Sequence, residues 1–221
     1  MKIIAIIPAK GSSIRLKNKN LLSIGGESLV RIACKKALSS KYINEVYIDT
    51  ESDLVLAQVQ DLYREGLKVL KRPVSLASNR TGANEMVMYG VHSVSECDVL
   101  LQTFSTSPTL TVETIDKSIE EFIENYEKYD SFFTVVKMQE YFWDGKKEVN
   151  FNRKELPNSF ELETMYMETH GLYGIKTEAL IKNKTRIGEN PLMIEVSKTE
   201  SIDIDDYEDF LTAQGVMYVR R

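Results

Sequence analysis

Ile3-Ile4-Ala5-Ile6-Ile7-Pro8-Ala9 opens the chain and runs directly into Lys10-Gly11-Ser12-Ser13-Ile14-Arg15-Leu16-Lys17-Asn18-Lys19-Asn20. The apolar run is typical of a buried parallel strand, and ligands of open α/β sheets bind beyond the carboxyl ends of such strands. Small residues after the strand let backbone N–H groups approach an anion. Four cations lie within ten residues: Lys10, Arg15, Lys17 and Lys19. The segment predicts a triphosphate-binding loop, although a solvated basic turn would show the same pattern.

Two familiar phosphate-binding motifs do not fit this loop. No Gly-Lys-Ser/Thr follows at the spacing that a Walker loop requires, and the loop is not Gly-x-Gly-x-x-Gly. The prediction therefore rests on the buried strand, the small residues and the local charge.

Composition limits the class of protein. The 221 residues suffice for one large or two small domains, and 43% hydrophobic with 28% charged residues is an ordinary globular composition. A net charge of −5 argues against a general nucleic-acid-binding or anionic-membrane-binding protein. The basic loop is therefore a local exception on an acidic protein.

Cysteines, histidines and targeting signals point to an ordinary intracellular protein. Cys34 and Cys97 imply no disulfide framework and are expected to be buried free thiols. His92 and His170 are far apart without metal-ligand spacing, and His92 is interpreted as structural. No signal peptide and no run of transmembrane length is present, so we expect a cytoplasmic location.

Strand and helix signals alternate along the chain. The predicted strands are Ile3–Ala9, Glu45–Thr50, Lys68–Leu70, Asp98–Gln102, Ser131–Lys137 and Thr169–Ile175. The predicted helices are Ser28–Leu38, Asp53–Tyr63, Ala83–Val94, Thr111–Tyr126 and Tyr207–Gly215. This succession predicts an α/β fold with a Rossmann-like, mostly parallel sheet and helices on both faces.

The segment from Met138 to Met167 interrupts this alternation. It contains the single tryptophan, Trp143, and an Asp144-Gly145 turn. We interpret it as a loop or hairpin excursion that lies either over the active site or against a partner subunit.

Asp203 and Asp205 flank Ile204 near the end of the chain. On an extended segment their carboxylates point to the same side, about 7 Å apart, and could hold Mg²⁺ together with substrate phosphates. The alternative is a helix N-cap, because acids favour helix starts and Asp205 and Asp206 precede the closing helix. Capping gives no reason for Asp203.

Five segments together resemble the acylneuraminate cytidylyltransferase family, the CMP-sialic acid synthetases. They are Ile7–Asn20, Arg72-Pro73 with Leu76-Ala77-Ser78, Leu100-Leu101-Gln102 with Thr106-Ser107-Pro108, Gly171-Leu172-Tyr173, and Ser201–Asp205. The resemblance covers essentially the whole chain, 1–221, as a single nucleotidyltransferase domain with 138–167 as a dimerisation or lid excursion. Two departures stand out: Lys10 replaces an arginine, losing its bidentate fork, and Ile14 replaces a lysine.

The resemblance implies that CTP and a sialic-type nonulosonic acid give the CMP-sugar and pyrophosphate, with Mg²⁺, in a homodimer. The implied catalytic residues are Lys10, Lys19, Asp203 and Asp205, the two aspartates holding the metal. The implied nucleotide-binding residues are Ala9, Lys10, Gly11, Ser12, Ser13, Arg15, Lys19, Asn20, Arg72, Gly82 and Asn84. Gln102 and Tyr173 are the implied sugar contacts. Each also has a purely structural interpretation. Arg72 could do no more than pair with a surface acid, and Tyr173 could be an ordinary core residue.

Two alternatives stay open. One is a 3-deoxy-octulosonate cytidylyltransferase, whose family carries Gln-Gly-Asp-Glu-Pro where this chain reads Gln102-Thr103-Phe104-Ser105. The other is a catalytically weakened homologue that binds nucleotide as a regulatory subunit. Lys10 and Ile14 motivate the second alternative, whereas Asp203 and Asp205 argue against it. The arginine that precedes the Gly-x-Tyr strand in relatives using neuraminic acid is also absent, since that region reads Phe160–Glu163.

Overall fold

A seven-stranded sheet forms the centre of the structure, a computed structural model that describes residues 1–78 and 80–220. Its strands are β1 (Ile3–Pro8), β4 (Glu45–Thr50), β5 (Leu67–Lys71), β6 (Val99–Thr103), β7 (Ser131–Met138), β8 (Met165–Lys176) and β9 (Pro191–Glu195). Their spatial order is β5-β4-β1-β6-β8-β7-β9. The short strands β2 (Ser23–Ile24) and β3 (Glu27–Ser28) form a separate hairpin.

The sheet is mostly parallel, as predicted. Strand β1 pairs in parallel with β4 and β6, β4 with β5, and β7 with β9. Only β8 runs antiparallel, against both β6 and β7. The first strand is buried on both faces because it lies between two parallel neighbours with helices above and below, which explains its unbroken apolar sequence.

Helices cover both faces of the sheet. They are α1 (Leu29–Ser39), α2 (Asp53–Ala57), α3 (Ala83–Ser93), α4 (Val112–Glu124), α5 (Thr177–Asn183) and α6 (Tyr207–Val219). Side chains of β1 alternate between two cores: Ala5 packs with residues of α1 and α4, whereas Ile6 packs with residues of α3 and α5. Within the described residues, no helix is long and apolar enough to span a bilayer.

Several predicted boundaries were wrong. The helix expected over Asp53–Tyr63 is only α2, because Val59 leaves the helical region at φ −128° and a 3-10 helix, Gln60–Glu65, follows. The closing helix runs past Gly215 to Val219. Helix α5 and strand β9 were missed because seven and five residues are too short to show periodicity. Cys34 is buried as expected, but Cys97 is only half-buried.

Strands β7 and β8 extend beyond the end of β6 as a two-stranded ribbon. Met165 to Glu168 pair with β7 alone, whereas β6 contacts β8 only from Leu172 onward. The segment 139–164 joins the two strands outside the sheet and holds one isolated bridge, between Trp143 and Glu148, and a 3-10 helix, Ser159–Glu161. This places the excursion at the carboxyl end of the parallel strands.

Candidate active site

A cavity of about 500 Å³ opens at the carboxyl ends of β1 and β6, on the edge of the sheet where the sequence predicts ligand binding. Its walls include six of the predicted residues: Lys10, Ser13, Arg15, Lys19, Asn20 and Arg72. The rest of the lining is Pro8, Ile14, Leu76, Ser78, Thr81, Met86, Phe104, Ser105 and Thr106. The first loop, the segment after Arg72 and the segment after Gln102 thus meet in one place, as their order in the chain suggested.

The predicted anion loop is held against the end of β4. The Gly11 N–H donates a 2.7 Å hydrogen bond to Oε1 of Glu51, so this N–H is engaged within the protein. A Cβ added at Gly11 would lie 2.5 Å from Cβ of Ser52, which is closer than side chains pack. Glycine is therefore required here by the close approach of two backbones. Oε2 of Glu51 is buried without a partner among the described residues.

Asn20 joins two loops that border the cavity. Its Nδ2 donates to the Lys10 carbonyl at 2.8 Å, and its Oδ1 accepts from the Ser105 hydroxyl at 2.6 Å. Both ends of the buried amide are therefore used to brace the loop after β1 against the loop after β6. This brace is the role that the structure shows for Asn20, and its nucleotide contact stays a prediction.

Arg72 is a buried cation rather than a surface one. It is 5% exposed and forms a bidentate pair with the equally buried Asp49: Nε to Oδ1 at 3.0 Å and Nη2 to Oδ2 at 2.8 Å. Nη2 also donates to the Asp49 carbonyl at 3.1 Å. The pairing acid thus lies in the core, at the end of β4, and it fixes Arg72 where the side chain still lines the cavity.

The two predicted metal ligands contact opposite sides of the cleft. Asp205 pairs with Nη1 of Arg15 at 2.5 Å and with Nζ of Lys19 at 3.1 Å. Asp203 lies 3.4 Å from Nδ1 of His170, and its Oδ1 is buried without a partner among the described residues. No group of three or more histidine, cysteine or acidic side chains suited to a metal occurs in residues 1–78 and 80–220.

The capping alternative is confirmed for Asp206, one of the two residues that it named. Asp206 is the N-cap of α6, where its carboxylate accepts from the N–H groups of Glu208 and Asp209. Asp203 and Asp205 take no part in this cap as side chains, so helix capping does not explain either of them.

A bulge in β8 forms the other wall. Between the pairs Val135–Glu168 and Phe133–Tyr173, β8 advances five residues while β7 advances two. His170 lies in this bulge at φ 55°, a left-handed conformation that is uncommon for a residue other than glycine. Such irregular backbone often occurs at functional sites, because it redirects side chains from the regular alternation of a strand.

The bulge gathers a polar cluster around Tyr173. The Tyr173 hydroxyl donates to the Glu168 carboxylate, and Nη2 of Arg186 donates to Glu168 at 3.0 Å and to Tyr173 at 2.8 Å. Burial and the bond to Glu168 raise the pKa of Tyr173, so its hydroxyl stays protonated. The hydrogen bond to Asp203 raises the pKa of His170.

The cluster adjoins the cavity through Gln102 and Phe104. Gln102 pairs in register with Tyr173 across β6 and β8, and its Oε1 is buried with no partner among the described residues. Phe104 lines the cavity and meets the Tyr173 ring edge to face at 5.9 Å between centroids. The predicted sugar contacts, Gln102 and Tyr173, therefore lie together beside the predicted nucleotide cavity.

Gly82 and Asn84 lie at the start of α3, outside the cavity lining. Gly82 is the residue preceding the helix, and Oδ1 of Asn84 accepts from the Arg186 N–H at 3.0 Å. Lys10 lies in the cavity, where burial and the nearby Arg72 lower its pKa while Glu51 opposes them.

The sequence analysis missed Glu168, His170 and Arg186. Glu168 and His170 immediately precede the Gly171-Leu172-Tyr173 segment, a local signal that could have marked them. Arg186 follows α5 and reaches the cluster only through the fold.

Comparison with known proteins gives a consistent picture. A family model described as cytidylyltransferase matches residues 4–218. A bifunctional Helicobacter pylori protein, pseudaminic acid cytidylyltransferase and UDP-2,4-diacetamido-2,4,6-trideoxy-beta-L-altropyranose hydrolase, is 24% identical over 97% of this chain and 42% of its own length. N-acylneuraminate cytidylyltransferase of Escherichia coli O18:K1:H7 is 24% identical over 95% of this chain and 50% of its own length. The chain thus spans half or less of each of these two relatives.

A solved structure shares the fold. CMP:2-keto-3-deoxy-manno-octonic acid synthetase, complexed with CTP, superposes with a TM-score of 0.71 over the whole of both chains at 14% identity.

Proposed function

The chain belongs to the cytidylyltransferase family, and we propose that it transfers CMP from CTP to a sialic-type nonulosonic acid, releasing pyrophosphate. The observation that carries the proposal is the juxtaposition of a cation-lined cavity with the polar cluster of Gln102 and Tyr173. Asp205 contacts the first wall and Asp203 the second, so the acidic segment lies where the two substrates would meet.

The cavity residues would hold the triphosphate and neutralise its charge. Lys10 and Lys19 are the cations that we assign to catalysis, and Ser12, Ser13 and Arg15 extend the same loop. The anomeric hydroxyl of the sugar would attack the α-phosphorus in line, and pyrophosphate would leave with the bonding electron pair. Reactions of this type depend mainly on positioning and on charge neutralisation by fixed cations.

Mg²⁺ is part of the proposal, with Asp203 and Asp205 as its protein ligands. The donor set fits, because Oδ1 of Asp203 is a buried oxygen with no partner among the described residues. Two carboxylates are few, but Mg²⁺ usually takes one or two from the protein and completes its shell with phosphate oxygens and water. When bound, the ion would add positive charge at the phosphates and lower the pKa of the attacking hydroxyl.

A pyrophosphate-release assay tests the function directly. We expect release with CTP, Mg²⁺ and at least one of pseudaminic acid, N-acetylneuraminic acid and legionaminic acid, and much weaker release with 3-deoxy-manno-octulosonate. ATP and GTP should fail as donors, because a pocket that hydrogen-bonds one base leaves polar groups unpaired with another. A preference for 3-deoxy-manno-octulosonate would show that this acid is the acceptor in place of a sialic-type acid. Binding of CTP without any turnover would favour the weakened homologue.

We further propose that the active form is a homodimer in which the excursion contacts the second copy. Trp143 and Phe160 are 51% and 74% exposed, and the ribbon leaves Met165, Tyr166 and Met167 exposed as well. Apolar groups concentrated on one projection are typical of a protein interface. Their position at the cleft end of the sheet would bring the partner close to the sugar side.

Light scattering at micromolar concentration tests the dimer. We expect twice the chain mass of 25.3 kDa. Trp143→Ala combined with Phe142→Ala should shift the protein toward monomer and weaken sugar use more than CTP binding. Tyr218→Ala, which removes an exposed aromatic from α6, is the control and should leave the mass unchanged. A wild-type mass of one chain with full activity would make the excursion a lid over its own cleft.

A further inference from the structure

We propose that Arg186 binds the carboxylate of the sugar acid and so selects acidic acceptors over neutral ones; this rests on the proposed function. Arg186 lies in the segment between α5 and β9, and its backbone N–H is fixed by Asn84 of α3 at 3.0 Å. This single residue therefore links the helix beside the nucleotide cavity to the bulged strand beside the sugar contacts.

The guanidinium is held in one orientation. Its central carbon lies 3.8 Å from the centre of the Tyr173 ring, and Nη2 donates to both Glu168 and the Tyr173 hydroxyl. The side chain is 18% exposed, so one part of it remains accessible to a ligand. Stacking and a paired acid together fix the guanidinium plane, which reduces the entropy lost when a ligand binds.

The remaining donors suit a carboxylate. All hydrogen bonds that the side chain of Arg186 makes to described residues use Nη2, which leaves Nε and Nη1 for a ligand. Nε–H and Nη1–H are not parallel, so a carboxylate would accept charge-assisted hydrogen bonds from Nη1, whose direction the planar guanidinium fixes in a way that a lysine ammonium does not. Glu168 would then position Arg186 rather than contact the sugar acid itself.

A second observation points to a polyhydroxylated ligand at the same place. Gln102 is 3% exposed, lies opposite Tyr173 in the sheet register, and has a buried Oε1 without a partner among the described residues. A buried acceptor without a donor is costly, so it is expected to be satisfied by a ligand hydroxyl. Donors on Arg186 and an acceptor on Gln102 complement an acid that also carries hydroxyl groups.

Steady-state kinetics of Arg186→Gln and Arg186→Lys test the assignment, with the best sugar acid of the panel and its methyl ester as acceptors. We expect Arg186→Gln to raise KM for the acid by roughly 10- to 100-fold, the worth of a charge-assisted hydrogen bond, with KM for CTP changed less than about twofold. Arg186→Lys should recover only part of this, because an ammonium keeps the charge but not the fixed direction of the guanidinium donors. The difference in KM between wild type and Arg186→Gln should be far smaller with the methyl ester than with the acid.

Arg64→Gln, at an exposed arginine of the 3-10 helix Gln60–Glu65, is the matched control and should leave both KM values unchanged. Thermal unfolding of each variant verifies that the fold is intact. If Arg186→Gln raises KM for acid and ester equally, or for neither, Arg186 only balances Glu168 and the inference is overturned while the proposed function stands. If the wild type uses no sugar acid at all, the proposed function fails and the inference falls with it.

Discussion

The two walls of the cleft are built in different ways. The wall that we propose for the nucleotide, the nucleotide wall, comes mainly from the short stretches 8–20 and 72–86, which follow parallel strands. The wall that we propose for the sugar, the sugar wall, comes from single residues at 102, 168, 173, 186 and 203, which an antiparallel strand and its bulge bring together. A wall made of loops after parallel strands can be predicted from local sequence, whereas a wall made of scattered side chains depends on register.

The walls also differ in charge. Cations dominate the nucleotide wall, where Lys10, Arg15 and Lys19 face the cavity. On the sugar wall Arg186 is paired with Glu168, and His170 lies between Glu168 and Asp203. The charge of the first wall is suited to a polyanion, and the second wall to one defined arrangement of donors and acceptors. Specificity for the acceptor should therefore reside in the second wall.

The largest effect is expected where the walls meet. Asp203→Asn and Asp205→Asn should each lower turnover by about 10²–10³-fold, the typical loss when one charge-stabilising group is removed. Both variants should unfold at close to the wild-type temperature. Asp206→Asn is the matched control, because asparagine is as good an N-cap as aspartate and turnover should be unchanged. Near wild-type turnover in either test variant would remove that residue from the site.

The next largest effect is expected on stability, from the buried Arg72–Asp49 pair beneath the nucleotide wall. Arg72→Met leaves the carboxylate of Asp49 buried without its partner and should lower the free energy of unfolding by about 3 kcal/mol. Urea denaturation measures this loss. Arg64→Met, at an exposed arginine, should change stability by less than about 0.5 kcal/mol. Unchanged stability of Arg72→Met with a raised KM for CTP would show that Arg72 contacts the nucleotide and supports nothing.

The smallest effect concerns the loop after β6, the strand that both walls share. Nζ of Lys36 donates to the carbonyls of Pro108 and Leu110, and burial with the nearby Arg220 lowers the pKa of Lys36 to about 8. At pH values between about 8 and the ordinary lysine pKa of 10.5, the unfolded chain binds more protons than the folded one. The free energy of unfolding should therefore rise with pH across this window.

Urea titrations at several pH values between 7.5 and about 10.5 would show the rise, and Lys36→Met should lack it. A wild-type profile that is flat, or that falls in parallel with the variant, would show that the ammonium is solvated. The loop after β6 would then gain no stability from this lysine.

The strand and loop of the nucleotide wall could be predicted because their signals are local. The unbroken apolar run of β1 and the Gly11–Ser13 turn predicted both the strand and the loop at its end. Asn20 was assigned to the nucleotide, but the contact that it makes to Ser105 is a pairing across 85 residues that no local pattern contains. Arg72 was linked to an acid only as an alternative, and its partner Asp49 follows from the pairing of β4 with β5.

The sugar wall was predicted only in part. Gln102 and Tyr173 were named, and the sheet register brings them opposite each other. Glu168 and Arg186 were not, because the bulge in β8 changes which side chains share a face and because Arg186 arrives through a turn after the missed helix α5. A one-residue shift in a strand exchanges its faces, so an irregular strand defeats any argument from alternation.

The contacts of Glu51 and Asp205 give the cleft the character of an ion exchanger. Glu51 accepts from the Gly11 N–H, and Asp205 holds Lys19 and Arg15, so carboxylates of the protein already occupy donors that face the predicted phosphate site. Binding of a triphosphate then substitutes one anion for another rather than neutralising bare charge. Such exchange discriminates by the number and geometry of oxygens, so inorganic phosphate or a monophosphate, with too few oxygens to displace both carboxylates, should compete poorly with a nucleoside triphosphate.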